Sequence, residues 1–272
     1  RWNLRLVDMN VRKLTRRDLN WADMAMISAM TIQRDSAREV IERCKSAGVK
    51  VVAGGPLFTT EAENFTAVDH LVLNEGEITL PAFLNDMACS QPKSEYRTGE
   101  FADLHITPAP RWDLINLNDY ASMSIQYSRG CPFNCDFCNV TALLGHRMRL
   151  KTSRQIITEL DGLYQAGWRG GVFFVDDNLI GNKKALKEDL LPALIDWRKD
   201  KEGMTFNTEA SINLADDPQL MEMMVAAGFN KVFIGIETPD ESNLAECNKK
   251  QNLNRDLVAD IHRIQKAGMQ VQ

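Results

Sequence analysis

Three of the six cysteines fall within eight residues, in the stretch Ser128-Arg129-Gly130-Cys131-Pro132-Phe133-Asn134-Cys135-Asp136-Phe137-Cys138. Thiolates are soft ligands that select zinc, copper(I) or iron-sulfur centres. Gly130 and Pro132 mark the stretch as a loop, on which three sulfurs can converge on one inorganic centre. Ligand count separates the options. A structural zinc ion closes its tetrahedron with four protein ligands, whereas a four-iron cluster held by three cysteines keeps one iron free of protein. Such an open iron is a place for a small molecule to bind. A zinc loop completed by His146 or a distant cysteine is the alternative. A disulfide is disfavoured, because no signal segment is evident and a reducing, cytoplasmic setting is expected.

Something must hold that loop, and the rest of the chain reads as strands alternating with helices. Leu4 to Val7 and Ala25 to Ala29 read as strands, and Ser36-x-x-Glu39 as a capping box before the apolar stripe Val40, Ile41, Cys44 and Ala47. Strands are then expected at Val49 to Ala53 and Val68 to Leu73. This pattern predicts an open, doubly wound parallel sheet over residues 1–90, with its ligand crevice at the carboxyl ends of the strands. Prolines and polar residues interrupt residues 91–120, which read as a linker. From Met123 the alternation resumes, with strands at Met123 to Tyr127, Val172 to Val175, Met204 to Glu209 and Lys231 to Ile236. Thr152-x-x-Gln155, Lys183 to Lys199, Asp217-Pro218 and Leu257 mark the helices between and after them. The dipeptide Ala-Gly recurs at 47–48, 166–167, 227–228 and 267–268, each time closing a helix before a strand. Residues 121–272 are therefore expected as a partial β/α barrel whose chemistry gathers at the strand carboxyl ends. The chain opens and closes on what read as strands, so a first unit of one domain and the last units of the other are expected to lie outside it.

Those strand ends are polar: the three cysteines follow the first, Asp176-Asp177-Asn178 the second, Glu209 and Ser211 the third, and Glu237-Thr238 the fourth. Composition excludes little else. A net charge of −5 offers no overall attraction to nucleic acid, and no apolar run approaches the ~20 residues of a membrane span. Cys44, Cys89 and Cys247 read as small buried hydrophobes.

The Cys-x3-Cys-x2-Cys loop, with Phe137 before its last cysteine and a strand ahead of it, resembles the cluster loop of radical S-adenosylmethionine (SAM) enzymes. The resemblance implies a [4Fe-4S] cluster on Cys131, Cys135 and Cys138, whose open iron chelates SAM and whose electron splits it to a 5′-deoxyadenosyl radical. Phe174-Val175-Asp176-Asp177-Asn178 is similar in place, though not in letters, to the segment that receives the methionine amino group. Gly235-Ile236-Glu237-Thr238 resembles the family's Gly-x-Glu-Ser segment, and Glu209 and Ser211 occupy the third strand end, near the ribose. A doubly wound domain ahead of such a barrel resembles the cobalamin-binding class, including hopanoid-lipid methylases. Ser28, Gly54, Gly55, Glu75 and Gly76 would line its crevice. No Asp-x-His-x-x-Gly motif is present, so cobalt ligation by histidine is not expected. The resemblance implies cobalamin-dependent methylation of an unactivated carbon in a small-molecule or lipid-like substrate, with an external electron donor such as flavodoxin or ferredoxin. A radical enzyme without cobalamin, performing thiolation, cyclisation or rearrangement, is the alternative; a non-catalytic electron-transfer or zinc protein is the alternative of another class.

Overall fold

The computed structural model describes residues 2–272, which divide into two compact units at Ala102/Asp103. In the first unit, α1 (Arg16–Trp21) is opened by Thr15, whose hydroxyl accepts from the Asp18 N–H at 3.2 Å. There follow β1 (Met24–Ser28), α2 (Arg34–Ser46), β2 (Lys50–Gly54), α3 (Pro56–Thr60), β3 (His70–Val72), α4 (Gly76–Ala88) and β4 (Glu95–Tyr96). The four strands run parallel in chain order. Val51 and Ala53 face Ile41, Cys44, Leu57 and Phe58, while Val52 and Val72 face Phe83 and Tyr96, so the sheet is covered on both sides. Each fully buried side chain such as Leu57 or Phe83 contributes roughly 1.5–3 kcal/mol.

Three readings of this region need correction. Residues 4–7 are not a strand: they run as irregular chain with no strand beside them among the described residues, held by Arg5 and Arg12 on Asp18. These contacts, Arg12 foremost, keep the Asp18 carboxyl far below the usual carboxylate range. The box at Ser36 does not form either. α2 begins two residues earlier, and Gln33 reaches back to the Met30 N–H at 2.9 Å. Cys89 is exposed, not buried.

The stretch 91–120 is shared between the units. β4 joins the first sheet, whereas Trp112, Ile115, Leu117 and Tyr120 pack on the second core. In the second unit the order is β5 (Ser122–Ile125), β6 (Ser128–Arg129), α5 (Val140–Leu144), β7 (Arg149–Leu150), α6 (Ser153–Gln165), β8 (Gly171–Phe174) and α7 (Lys183–Ala185), which runs through a π-turn into α8 (Leu191–Trp197). It continues with β9 (Thr205–Glu209), α9 (Pro218–Ala227), β10 (Phe229–Phe233), α10 (Glu241–Glu246), α11 (Leu257–Lys266) and β11 (Gln270–Val271). β5, β8, β9, β10 and β11 form one parallel sheet in chain order, the open form of a β/α barrel, and β6 pairs antiparallel with β7 as a separate ribbon. Phe174, Phe206 and Phe229 meet edge to face or tilted at 5.0–5.5 Å in its core. Thr152 caps α6 and Asp217 caps α9 as their sequences predict. All four Ala-Gly joints have positive φ at the glycine, from 74° to 110°, which turns the chain from helix to strand. Lys183 of α7 donates to Asn213 O at 2.7 Å.

Candidate functional site

The cysteine loop leaves β6 and returns through β7. Gly130 has φ of +101°, and a side chain there would meet the Arg147 carbonyl at 2.7 Å, so both backbone conformation and space exclude a Cβ. The Cys131 N–H then donates to Gly145 O at 3.2 Å, and the Cys138 N–H to Cys135 O at 3.0 Å. A Gly130→Ala variant is expected to lose roughly 1–3 kcal/mol of stability, read as a lower denaturation midpoint in urea, with loss of colour after cluster reconstitution.

Asp176, which sequence placed among the ligand acceptors, has another task. It is wholly buried, and its carboxylate accepts from the Tyr127 N–H at 3.0 Å and from both the N–H and hydroxyl of Ser128. It therefore anchors the entrance of the cysteine loop from the end of β8. Burial outweighs these donors and pushes its pKa up to about 6. Asn178, also buried, accepts from the Ser211 N–H at 3.2 Å and its hydroxyl at 3.3 Å, tying the ends of β8 and β9 together. Glu237 stands at φ of +64° and is paired with Lys249, so it is not a free acceptor.

Asp177 and Glu209 remain. No side chain among the described residues pairs with either carboxylate. Burial raises the pKa of both, and the Asp177 charge raises that of Glu209 further. Burial likewise raises the Cys131 thiol, against an N–H from Phe133, with Cys138, Cys135 and Asp177 adding to the rise. Asp177, just past β8, is thus in electrostatic reach of Cys131 on the loop after β6 and of Glu209 at the end of β9. Among the described residues no three His, Cys, Asp or Glu side chains are gathered to hold a single metal ion. That does not bear on a cluster, whose irons take one thiolate each.

Sequence reasoning missed the turn 247–252 beyond α10. The Asn248 side-chain N–H2 donates to Asn134 O at 2.6 Å, the Asp136 N–H to Cys247 O at 3.0 Å, and Gln251 Nε2 lies 3.5 Å from Cys135 Sγ. Lys249 Nζ sits 5.5 Å over the exposed ring of Phe137. Asn252 donates to Gly235 O and Ile236 O, fixing the turn against the fourth strand end. Cys247 is half-buried in this turn. No local pattern announces these contacts.

In the first unit, Ser28, Gly54 and the turn after Val72 lie along one sheet edge. Gly54 is small for a neighbour's sake: a Cβ would strike the Val72 carbonyl. Glu75 is buried and accepts from the Ala102 N–H at 2.8 Å, so it braces the fold and does not line a crevice. Ser28 and Gly76 are exposed at that edge, and Gly55 opens α3 there. His70 starts β3 at the opposite edge and hydrogen-bonds Lys93 O at 2.6 Å.

The profile of the radical SAM superfamily matches residues 125–271, more than half of the chain. The chain belongs to the radical SAM superfamily. A B12 binding domain profile matches residues 1–84. This radical SAM protein is 46% identical, over 98% of its length and 50% of the relative's, to an uncharacterized methyltransferase of Synechocystis sp.. It is 37% identical to the hopanoid C-2 methylase of Rhodopseudomonas palustris, over 99% of this chain and 52% of that protein. The chain thus spans about half the length of the curated relatives it matches. In fold it is similar to the cobalamin-dependent SAM radical enzyme OxsB with aqua-cobalamin bound, with a TM-score of 0.75 at 18% identity, covering 94% of this chain and 41% of that one. It is also similar to the radical SAM methyltransferase TsrM from Kitasatospora setae, with a TM-score of 0.73 at 15% identity, covering 91% and 55%. Membership brings a [4Fe-4S] cluster and SAM as cofactors, and the B12 binding domain brings cobalamin. Among the described residues no helix is long and apolar enough to cross a membrane.

Proposed function

We propose that Cys131, Cys135 and Cys138 hold the cluster, that Asp177 and Glu209 receive SAM, and that the protein methylates an unactivated carbon with cobalamin as methyl carrier. The observation that carries this reading is Asp177, a half-buried carboxylate with no side-chain partner among the described residues, whose charge reaches both Cys131 on the cysteine loop and Glu209. Two such acids repel each other, and a cationic ligand relieves both; SAM brings an ammonium, a sulfonium and a ribose diol. When bound, the cluster supplies the electron that cleaves SAM, and cobalamin supplies the methyl group.

The protein's own part is orientation. Asp176 fixes the loop entrance, Asn178 and Ser211 fix the spacing of β8 and β9, and Lys249 holds Glu237 at the rim. In the first unit Ser28, Gly55 and Gly76 are the residues left to face cobalamin, with no histidine at that sheet edge among those described. The similarity to a hopanoid methylase supports a lipid-like substrate, and an external flavodoxin or ferredoxin would supply electrons.

Under dithionite the reconstituted protein is expected to convert SAM to 5′-deoxyadenosine. An Asp177→Asn, Glu209→Gln double variant should retain its iron and lose roughly tenfold or more of that rate. Equal rates in variant and parent would remove both assignments. Cleavage without retained hydroxocobalamin would favour the radical enzyme without cobalamin, and a colourless protein with one zinc per chain would overturn the cluster itself.

A further inference from the structure

The three thiols are not served alike by their surroundings. Cys131 receives the backbone N–H of Phe133, Cys135 receives the side-chain amide of Gln251 at 3.5 Å, and Cys138 receives no hydrogen bond among the described residues. Gln251 comes from the turn 247–252, which is clamped to the loop on either side of Cys135 through Asn248 on Asn134 and Cys247 on Asp136. Its amide oxygen is buried with no hydrogen-bond partner among the described residues, so the sulfur is the one polar group there that the amide meets. The donor is neutral and sits on a turn held by the buried Asn252. It therefore presents an N–H to sulfur without adding charge to the site.

We propose that Gln251 is a positioning residue for Cys135, holding its thiolate in one orientation and setting the reduction potential of the cluster. The inference rests on Cys135 being a cluster ligand. An N–H aimed at a ligand sulfur stabilises the added electron density of the reduced cluster more than that of the oxidised one, and so raises the potential. Removing the donor makes the cluster harder to reduce. A stronger donor makes it easier.

The test is a mediated redox titration of the anaerobically reconstituted protein, followed by electron paramagnetic resonance, together with iron analysis. Gln251→Leu is expected to keep the parent's iron content, while its reduced-to-oxidised ratio at a fixed potential falls roughly tenfold. Gln251→Glu, equal in shape but an acceptor, should fall at least as far, and Gln251→Lys should recover or exceed the parent's ratio. A parent-like potential in both the Leu and Glu variants would overturn the proposal. So would equal iron loss in all three variants with the remaining cluster at the parent's potential, which is the signature of a packing role. The Cys135→Ala control separates the two levels: full iron retention there would overturn the ligand assignment, and this inference with it.

Discussion

Replacing Cys131, Cys135 or Cys138 with Ala is expected to leave the protein folded yet nearly iron-free after anaerobic reconstitution, with the brown absorbance and SAM cleavage both lost. The loop backbone is secured independently of the sulfurs, by Cys131 N–H on Gly145 O, Asp136 N–H on Cys247 O and the Asp176 anchor, so the thiols can be removed without unfolding their support. A cluster with three protein ligands has none to spare, and losing one exposes a second iron to exchange. Cys44, Cys89 and Cys247 serve as controls on the same protein: alanine at any of them should leave the iron content at the parent's level. Iron that survives in the Cys135→Ala variant, or vanishes in the Cys247→Ala variant, would mean that the ligand set has been misassigned.

The second large effect concerns Asp176. Asp176→Leu leaves two backbone N–H groups and a hydroxyl buried without an acceptor, and should cost roughly 3–5 kcal/mol, read by urea denaturation. Asp176 also gives the fold a pH signature. Its pKa in the folded protein is about 6, above the ordinary 3.8, so between those values the folded state binds the proton more readily than the unfolded state does. Its contribution to stability is then fully present below about pH 4 and is lost as pH rises through about 6, a swing of about 3 kcal/mol at ~1.4 kcal/mol per unit. Asp176→Asn should flatten this part of the stability profile. A profile with the same slope in parent and Asn variant would show that another group titrates there.

The two carboxylates side by side at 176 and 177 show how far the sequence could be read. Which strand end carries acid was plain from the alternation of strands and helices, and so was the place of the cysteine loop. Which acid turns inward continues the parity of Val172 and Phe174, both wholly buried in β8, but Asp176 lies two residues past the last residue of the strand, where no strand rule reaches it. Glu75 was misread for a similar reason: its partner, Ala102, lies 27 residues away and no spacing rule connects them. Residues 4–7 alternate as a strand should, yet pairing is a property of neighbours, and among the described residues no strand lies beside them. Gln251 and Asn248 were out of reach altogether. Amides in a polar turn look like solvent-facing residues until the chain brings Cys135 and Asn134 to them.

That closure has a kinetic side. The contacts from Asn248 and Gln251 to the cysteine loop span 114 and 116 residues, a separation that includes β8, β9 and β10. Contacts of such range form late, because the chain between them must be ordered before their closure is rewarded. The β6–β7 ribbon, by contrast, is local and can form early. The ribbon that flanks the three cysteines is therefore expected to form before the turn reaches Cys135, an order that thiol labelling during refolding checks. Over that expected interval the sulfurs would lack the contacts of the turn, which come from chain beyond β10.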